Sequence, residues 1–95
     1  MNRLTNKQLG NTVMTIGINQ LLDDMSISII DIQQALSKHT FLNYGELCKE
    51  DIEVNNSSIK NDLGTVMSKY FINNICIWII TYLNDYTVIL LPSEY

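Results

Sequence analysis

Three β-prone runs separated by two short asparagine-containing turns occupy the stretch from Gly64 to Tyr95. The runs are Gly-Thr-Val-Met-Ser-Lys-Tyr-Phe-Ile, Ile-Cys-Ile-Trp-Ile-Ile-Thr-Tyr and Tyr-Thr-Val-Ile-Leu-Leu-Pro-Ser-Glu-Tyr; the turns are Asn73-Asn74 and Leu83-Asn84-Asp85. β-Branched and aromatic residues fit a pleated surface, and Asn suits tight turns, so the stretch predicts an antiparallel β-meander. In Ile75–Tyr82 one face carries Ile75, Ile77, Ile79 and Thr81, the other Cys76, Trp78, Ile80 and Tyr82. Both faces are apolar, so both are expected to be covered. Helices account for one. The other needs the N-terminal segment or a partner chain, with Trp78 and the Ile rows forming core.

Upstream, the pattern turns helical. Residues 1–11 are polar and aperiodic and read as a mobile arm. Thr12–Ile16 is β-prone and able to add a strand to the C-terminal sheet. Ile18, Leu21, Leu22 and Met25 recur at helical spacing. Ser26 or Ser28 can cap a next helix, with Asp31 in its first turn and Lys38 and His39 at its positive-favouring end. Its apolar face is Ile29, Ile32, Ala35 and Leu36. Thr40–Gly45 reads as a loop whose two aromatics tuck inward. A third helix is expected from about Glu46 to Lys60, with Asn61 and Gly64 as stop signals. The predicted fold is a single α+β domain over residues 1–95. Residues 12–63 are mainly helical, and two or three N-terminal helices pack on a three- to four-stranded antiparallel meander within residues 64–95.

Ninety-five residues suffice for one modest core. The formal net charge is −4, and the six basic residues, Arg3, Lys7, Lys38, Lys49, Lys60 and Lys69, are scattered. Direct nucleic-acid binding, which draws on clustered Lys and Arg, is not expected. Cys48 and Cys76 are too few and too far apart for a disulfide framework and read as buried reduced thiols of a cytoplasmic protein. The start shows no signal-peptide pattern. Ile75–Leu91 is too short and too interrupted to span a membrane.

Few residues suggest chemistry. His39, the single histidine, can be drawn with Cys48 as a nucleophile pair, which needs ring and thiol within hydrogen-bond reach. The plainer reading is a helix-end histidine and a small buried hydrophobe. No spacing matches a zinc site, no glycine loop cradles phosphate, and no cofactor is expected. Trp78, Tyr82 and Tyr86 could stack on bases, but they lack neighbouring cations, so they read as core. The distinctive charged feature is Glu46, Glu50, Asp51 and Glu53. Three of these follow i, i+4, i+7 and would line one helical stripe. Such a stripe is either a solvated helix face or a mimic of phosphates that docks on a basic surface of another protein.

Tyr44-Gly-Glu-Leu-Cys-Lys-Glu-Asp51, Asn55, Ser68-Lys-Tyr70, Ile77-Trp-Ile-Ile-Thr81 and Thr87–Tyr95, in that order and spacing, resemble a group of short plasmid- and mobile-element-borne bacterial proteins. Members often carry labels such as a restriction-enzyme subunit. The resemblance covers roughly residues 12–95. Two features depart from it: the aromatic before Gly45 is more usually Trp, and the turn after Thr81 is usually richer in charge. The resemblance carries over no catalytic residue. It implies an anti-defence factor, such as an anti-CRISPR inhibitor that binds a host nucleic-acid-binding nuclease. Glu46, Glu50, Asp51, Glu53 and Tyr44 are then the expected partner-binding residues. A homodimeric structural or regulatory module is the alternative, and a small Cys/His enzyme a third.

Overall fold

The computed structural model describes residues 2–95. Four helices and one strand fill the first two thirds and three strands follow: α1 (Asn6–Leu9), β1 (Asn11–Met14), α2 (Ile16–Asp23), α3 (Ile29–Thr40), α4 (Lys49–Asn61), β2 (Thr65–Ile72), β3 (Ile75–Tyr82), β4 (Tyr86–Leu90) and a 3₁₀ turn at Pro92–Glu94. The α+β class read from the sequence is the one observed. The strand order is β1-β4-β3-β2. The meander β2-β3-β4 is antiparallel, but β1 runs parallel to β4, pairing Asn11 with Tyr86 through Met14 with Ile89. The sheet is therefore mixed, not antiparallel throughout.

The two asparagine turns set the register of the meander. Asn73 and Asn74 both take positive φ, 50° and 66°, as the two-residue turn preferred in hairpins requires, and Ile72 pairs with Ile75. Leu83-Asn84-Asp85 closes the second hairpin, with Asn84 at φ 66° and the Asp85 amide donating to Tyr82.

The direction of β1 follows from how the N-terminal segment is tethered. Residues 2–11 are not a loose arm, and Met1 lies outside the described residues. Leu4 is wholly buried and its amide donates to Thr40. Thr5 and Gln8 form a reciprocal cap at the start of α1, and the Gln8 carbonyl accepts from the Asn84 amide. These bonds deliver the chain beside Tyr86, the start of β4, so β1 runs the same way as β4. Gly10 makes the turn at φ 61°, where a β-carbon would sit 2.0 Å from the Asp85 carbonyl oxygen.

α2 starts at Ile16, the last residue of the stretch expected to be strand, with Thr15 as its N-cap, and ends at Asp23. Ser28 caps α3 reciprocally with Asp31. α4 begins later than its acidic composition suggests: Cys48 is its N-cap, and the chain leaves it through Asp62 in the left-handed conformation.

The helices gather on one side of the sheet. Ile77, Ile79, Ile89 and Tyr70 pack with Ile18, Ile27, Ile32 and Ala35 in one core cluster. A second unites Leu4, Tyr44, Leu47, Val66 and Leu83, with Ile52, Ile59 and Met67 at its margin. Alternation along a strand assigns Cys76, Trp78, Ile80 and Tyr82 to the opposite side. Among the described residues, no helix is long and apolar enough to cross a membrane.

Candidate functional site

No helix lies over the second side of the sheet, whose residues are mostly half-buried. Its cross-strand rows are Thr65–Tyr82–Tyr86–Asn11, Met67–Ile80–Val88–Val13, Lys69–Trp78–Leu90 and Phe71–Cys76. Of these residues only Met67 belongs to either core cluster. Ile80 and Leu90 are buried, but Val13 is 46%, Phe71 55% and Tyr86 38% exposed. Tyr82 stacks on Tyr86 with ring centroids 4.9 Å apart, and Tyr95 meets Trp78 edge-on at 5.5 Å. The expectation that Trp78 is core is corrected, and of the two expected covers for this face, the N-terminal segment or a partner chain, the N-terminal segment is not the one. Trp78 is half-buried on the helix-free side, because the N-terminal strand joins the sheet's edge, in its plane. Lys69, its ammonium 5.7 Å from the Phe71 ring, is the single charged residue of these rows.

The acidic residues lie elsewhere. Glu50 and Asp51 occupy the first turn of α4, where negative charge suits the helix dipole, and Glu53 follows. All three, and Glu46, are exposed. Glu46 is not helical: its amide donates to the Lys69 carbonyl, and the Lys69 amide donates to the Tyr44 carbonyl. Gly45 thereby forms a parallel bridge to Lys69, so close that a β-carbon there would lie 2.2 Å from the Lys69 oxygen. The strand edge takes up this segment before the helix can start, and the expected i, i+4, i+7 stripe does not form. Tyr44 is corrected as a partner-facing residue. It is 8% exposed within the second cluster, and its hydroxyl has no hydrogen-bond partner among the described residues. Burial pushes that phenol's pKa up. Of the two loop aromatics, Tyr44 tucks inward, whereas Phe41 is exposed, with the Arg3 guanidinium 5.4 Å from its ring.

Cys48 and His39 are not paired. The Cys48 thiol is exposed and donates to the Asp51 carboxylate at 3.2 Å, correcting the expectation of two buried thiols; Cys76 is half-buried. The Asp51 amide lowers the pKa of the Cys48 thiol, but the Asp51 carboxylate, desolvation and Glu50 outweigh it and leave it raised.

His39 is wholly buried, not a charged helix end. Its Nδ1 lies 2.6 Å from Ser68 Oγ and its Nε2 2.8 Å from Thr81 Oγ1; Thr81 Oγ1 lies 2.7 Å from Thr87 Oγ1, which donates to the Leu9 carbonyl at 2.8 Å. The proton positions follow by elimination. A carbonyl only accepts, so the Thr87 hydrogen points to Leu9. Thr81 must then donate to Thr87, and His39 Nε2–H to Thr81. Burial lowers the pKa of the ring to about 4, which keeps it neutral, so Nδ1 accepts from Ser68. A serine hydrogen-bonded to an imidazole is the first half of a hydrolytic dyad, but Ser68 and His39 are both 0% exposed. As it stands, the chain joins α3, β2, β3, β4 and α1 through one set of directed hydrogen bonds. Sequence reading missed Ser68, Thr81 and Thr87 as a unit. The available signal was one small hydroxyl residue on the same face of each meander strand.

Asn55 was also missed. From α4 its side chain donates to the Met67 carbonyl at 2.8 Å and accepts from the Met67 amide at 2.9 Å, pairing the outer edge of β2 as a neighbouring strand would. Among the described residues no group of three or more His, Cys, Asp and Glu side chains is placed to hold a metal ion. Comparison with protein-family models, with curated proteins and with solved structures finds no match to the chain.

Proposed function

We propose that this chain is a non-catalytic protein-binding inhibitor that acts in the cytoplasm on a host nucleic-acid-directed defence nuclease, with the helix-free sheet face as its main docking surface. The observation that carries the reading is that face, apolar, aromatic and nearly without charge in a chain of net charge −4. Exposed apolar patches of this kind mark interaction surfaces, and aromatic residues are enriched at interface centres. The anti-defence assignment comes from the family resemblance. Glu46, Glu50, Asp51 and Glu53, all exposed, supply negative charge that would steer the chain toward a basic guide- or DNA-binding surface.

The test is a DNA-cleavage assay with reconstituted, guide-loaded CRISPR effector nucleases and purified chain. Inhibition saturating near one chain per effector is expected. Replacing Val13 and Tyr86, both exposed, with Lys should abolish it, and reversing the four acids should slow its onset. Full cleavage across effector types at a large excess of chain would overturn the nuclease assignment.

A homodimeric regulatory module is the second reading, favoured by the same face: a surface with little charge on it can face its own copy without repulsion. Sedimentation should then show dimer at low micromolar concentration, dissociated by the same two lysines. Monomer alone would exclude this reading.

A further inference from the structure

Along the outer edge of β2 the two middle outward-aiming positions are sealed, while Phe71 near its end, like Thr65 at its start, has no backbone partner on that side among the described residues. In a hairpin closed by the Ile72–Ile75 pair, alternate residues of β2 aim both backbone groups away from β3. Met67 is one, and Asn55 takes both its groups; Lys69 is the next, bonded by Tyr44 and Glu46. Phe71 is the third. Its amide and carbonyl point outward with no partner among the described residues. They face a groove of about 400 Å³ between α3 and the end of β2, walled by Asp31, Gln34 and Lys38 on one side and floored by Asn43 and Glu46. That volume lies in the range of small-ligand sites.

We propose that this groove is a peptide-binding site that takes a short extended segment of another protein as an added strand, paired through the backbone of Phe71. The residues Tyr44 to Glu46 already pair in parallel with β2 at Lys69 and then turn away into α4. The guest continues that strand where the chain leaves it. An extended peptide has both groups the edge lacks, a carbonyl for the Phe71 amide and an amide for the Phe71 carbonyl. The polar side chains of Gln34, Lys38, Asn43 and Glu46 surround its flanks. Strand addition of this kind derives affinity from main-chain bonds and selectivity from the side chains alongside. The site is distinct from the helix-free face and does not depend on which protein that face engages.

The test pans a phage-displayed library of random dodecapeptides against the immobilised chain. The most enriched peptide is then synthesised and titrated into ¹⁵N-labelled protein. The Phe71 amide proton is expected to shift downfield and to exchange more slowly with solvent. Phe71→Pro removes the amide at an edge position where proline is tolerated, and Gln34→Trp fills the groove from the exposed side of α3. Each should weaken binding about tenfold or more, the scale of one or two lost hydrogen bonds. Phe71→Ala keeps the backbone and removes the ring from the other face, so it should leave affinity within about twofold, as should the paired Val13→Lys and Tyr86→Lys changes. Gln34→Trp decides the matter should the proline variant misfold. The proposal is overturned by failure to enrich any peptide, or by peptides that lose binding in the paired lysine variant and keep it in Gln34→Trp.

Discussion

The two faces of the sheet are built from the same strands and from similar residues, yet they have different roles. On β3, Ile77 and Ile79 are wholly buried under helices, while Trp78 between them and Tyr82 further along the strand lie half-buried on the side without them. The helix-covered face is also the one that hides polar groups: Ser68, His39, Thr81 and Thr87 are each 0% exposed. On the covered face each member of that hydrogen-bonded chain has a partner, whereas on the open face the Trp78 indole nitrogen is buried with no partner among the described residues. Hydrophobicity alone does not separate the faces. What lies over them does.

The sharpest break should come from paired truncations. Ile79→Ala on the covered face should cost about 2–5 kcal/mol, and Val88→Ala on the open face about 1 kcal/mol or less. For a domain this size each kcal/mol lowers the melting temperature by roughly 4–8 °C, so scanning calorimetry will separate them. Equal losses would mean that the open face is covered in solution.

The buried histidine makes the covered face sensitive to pH. Its folded pKa, about 4, lies below the ordinary 6.5, so the unfolded chain takes up the proton first as pH falls. The contribution is fully present above pH 6.5 and fades between 6.5 and about 4, by on the order of 3 kcal/mol. Urea denaturation across that window should show the loss. His39→Gln should be less stable at pH 7 and should flatten the slope.

A smaller effect sharpens the comparison at the sheet's edge. Asn55→Ala leaves both Met67 backbone groups without their partner and should cost roughly 1–3 kcal/mol. Asn55→Asp still accepts from the amide but sets a carboxylate against the Met67 carbonyl, so it should be no better than alanine. Faster amide exchange at Met67 reports the same loss. Reversing Glu50, Asp51 and Glu53 to lysine should change stability least per residue, by under about 1 kcal/mol each, since all are exposed and the change opposes the helix dipole and the exposed Cys48 thiol bond to Asp51. A larger loss would show that the acids hold α4 in place.

Local signals were the legible part. Asn73-Asn74 and Asn84 announced the hairpins, and Ser28 with Asp31 announced the start of α3, because turn and cap chemistry is written into adjacent residues. The parallel pairing of β1 was not legible, since it depends on where the Leu4 and Gln8 bonds deliver the chain. Glu46 read as helical because its neighbours carry helix-compatible spacing. Its amide is held by Lys69, a partner 23 positions away that no local pattern reveals. The acidic residues are exposed as a partner surface would need, but Tyr44 is not, and the open face was read as core because burial was inferred from composition on both sides of the strand.

The directed hydrogen bonds at His39 also make the protein self-reporting. The imidazole carries its hydrogen on Nε2 only because, three links away, the Leu9 carbonyl at the end of α1 claims the hydrogen of Thr87. Were α1 to lift from the sheet, Thr87 would be free to point its hydrogen back along the relay and the tautomer would no longer be dictated. One pair of nitrogen resonances, from the single histidine, can therefore be read in ¹⁵N-labelled protein as a docking gauge for the N-terminal segment, with no added probe.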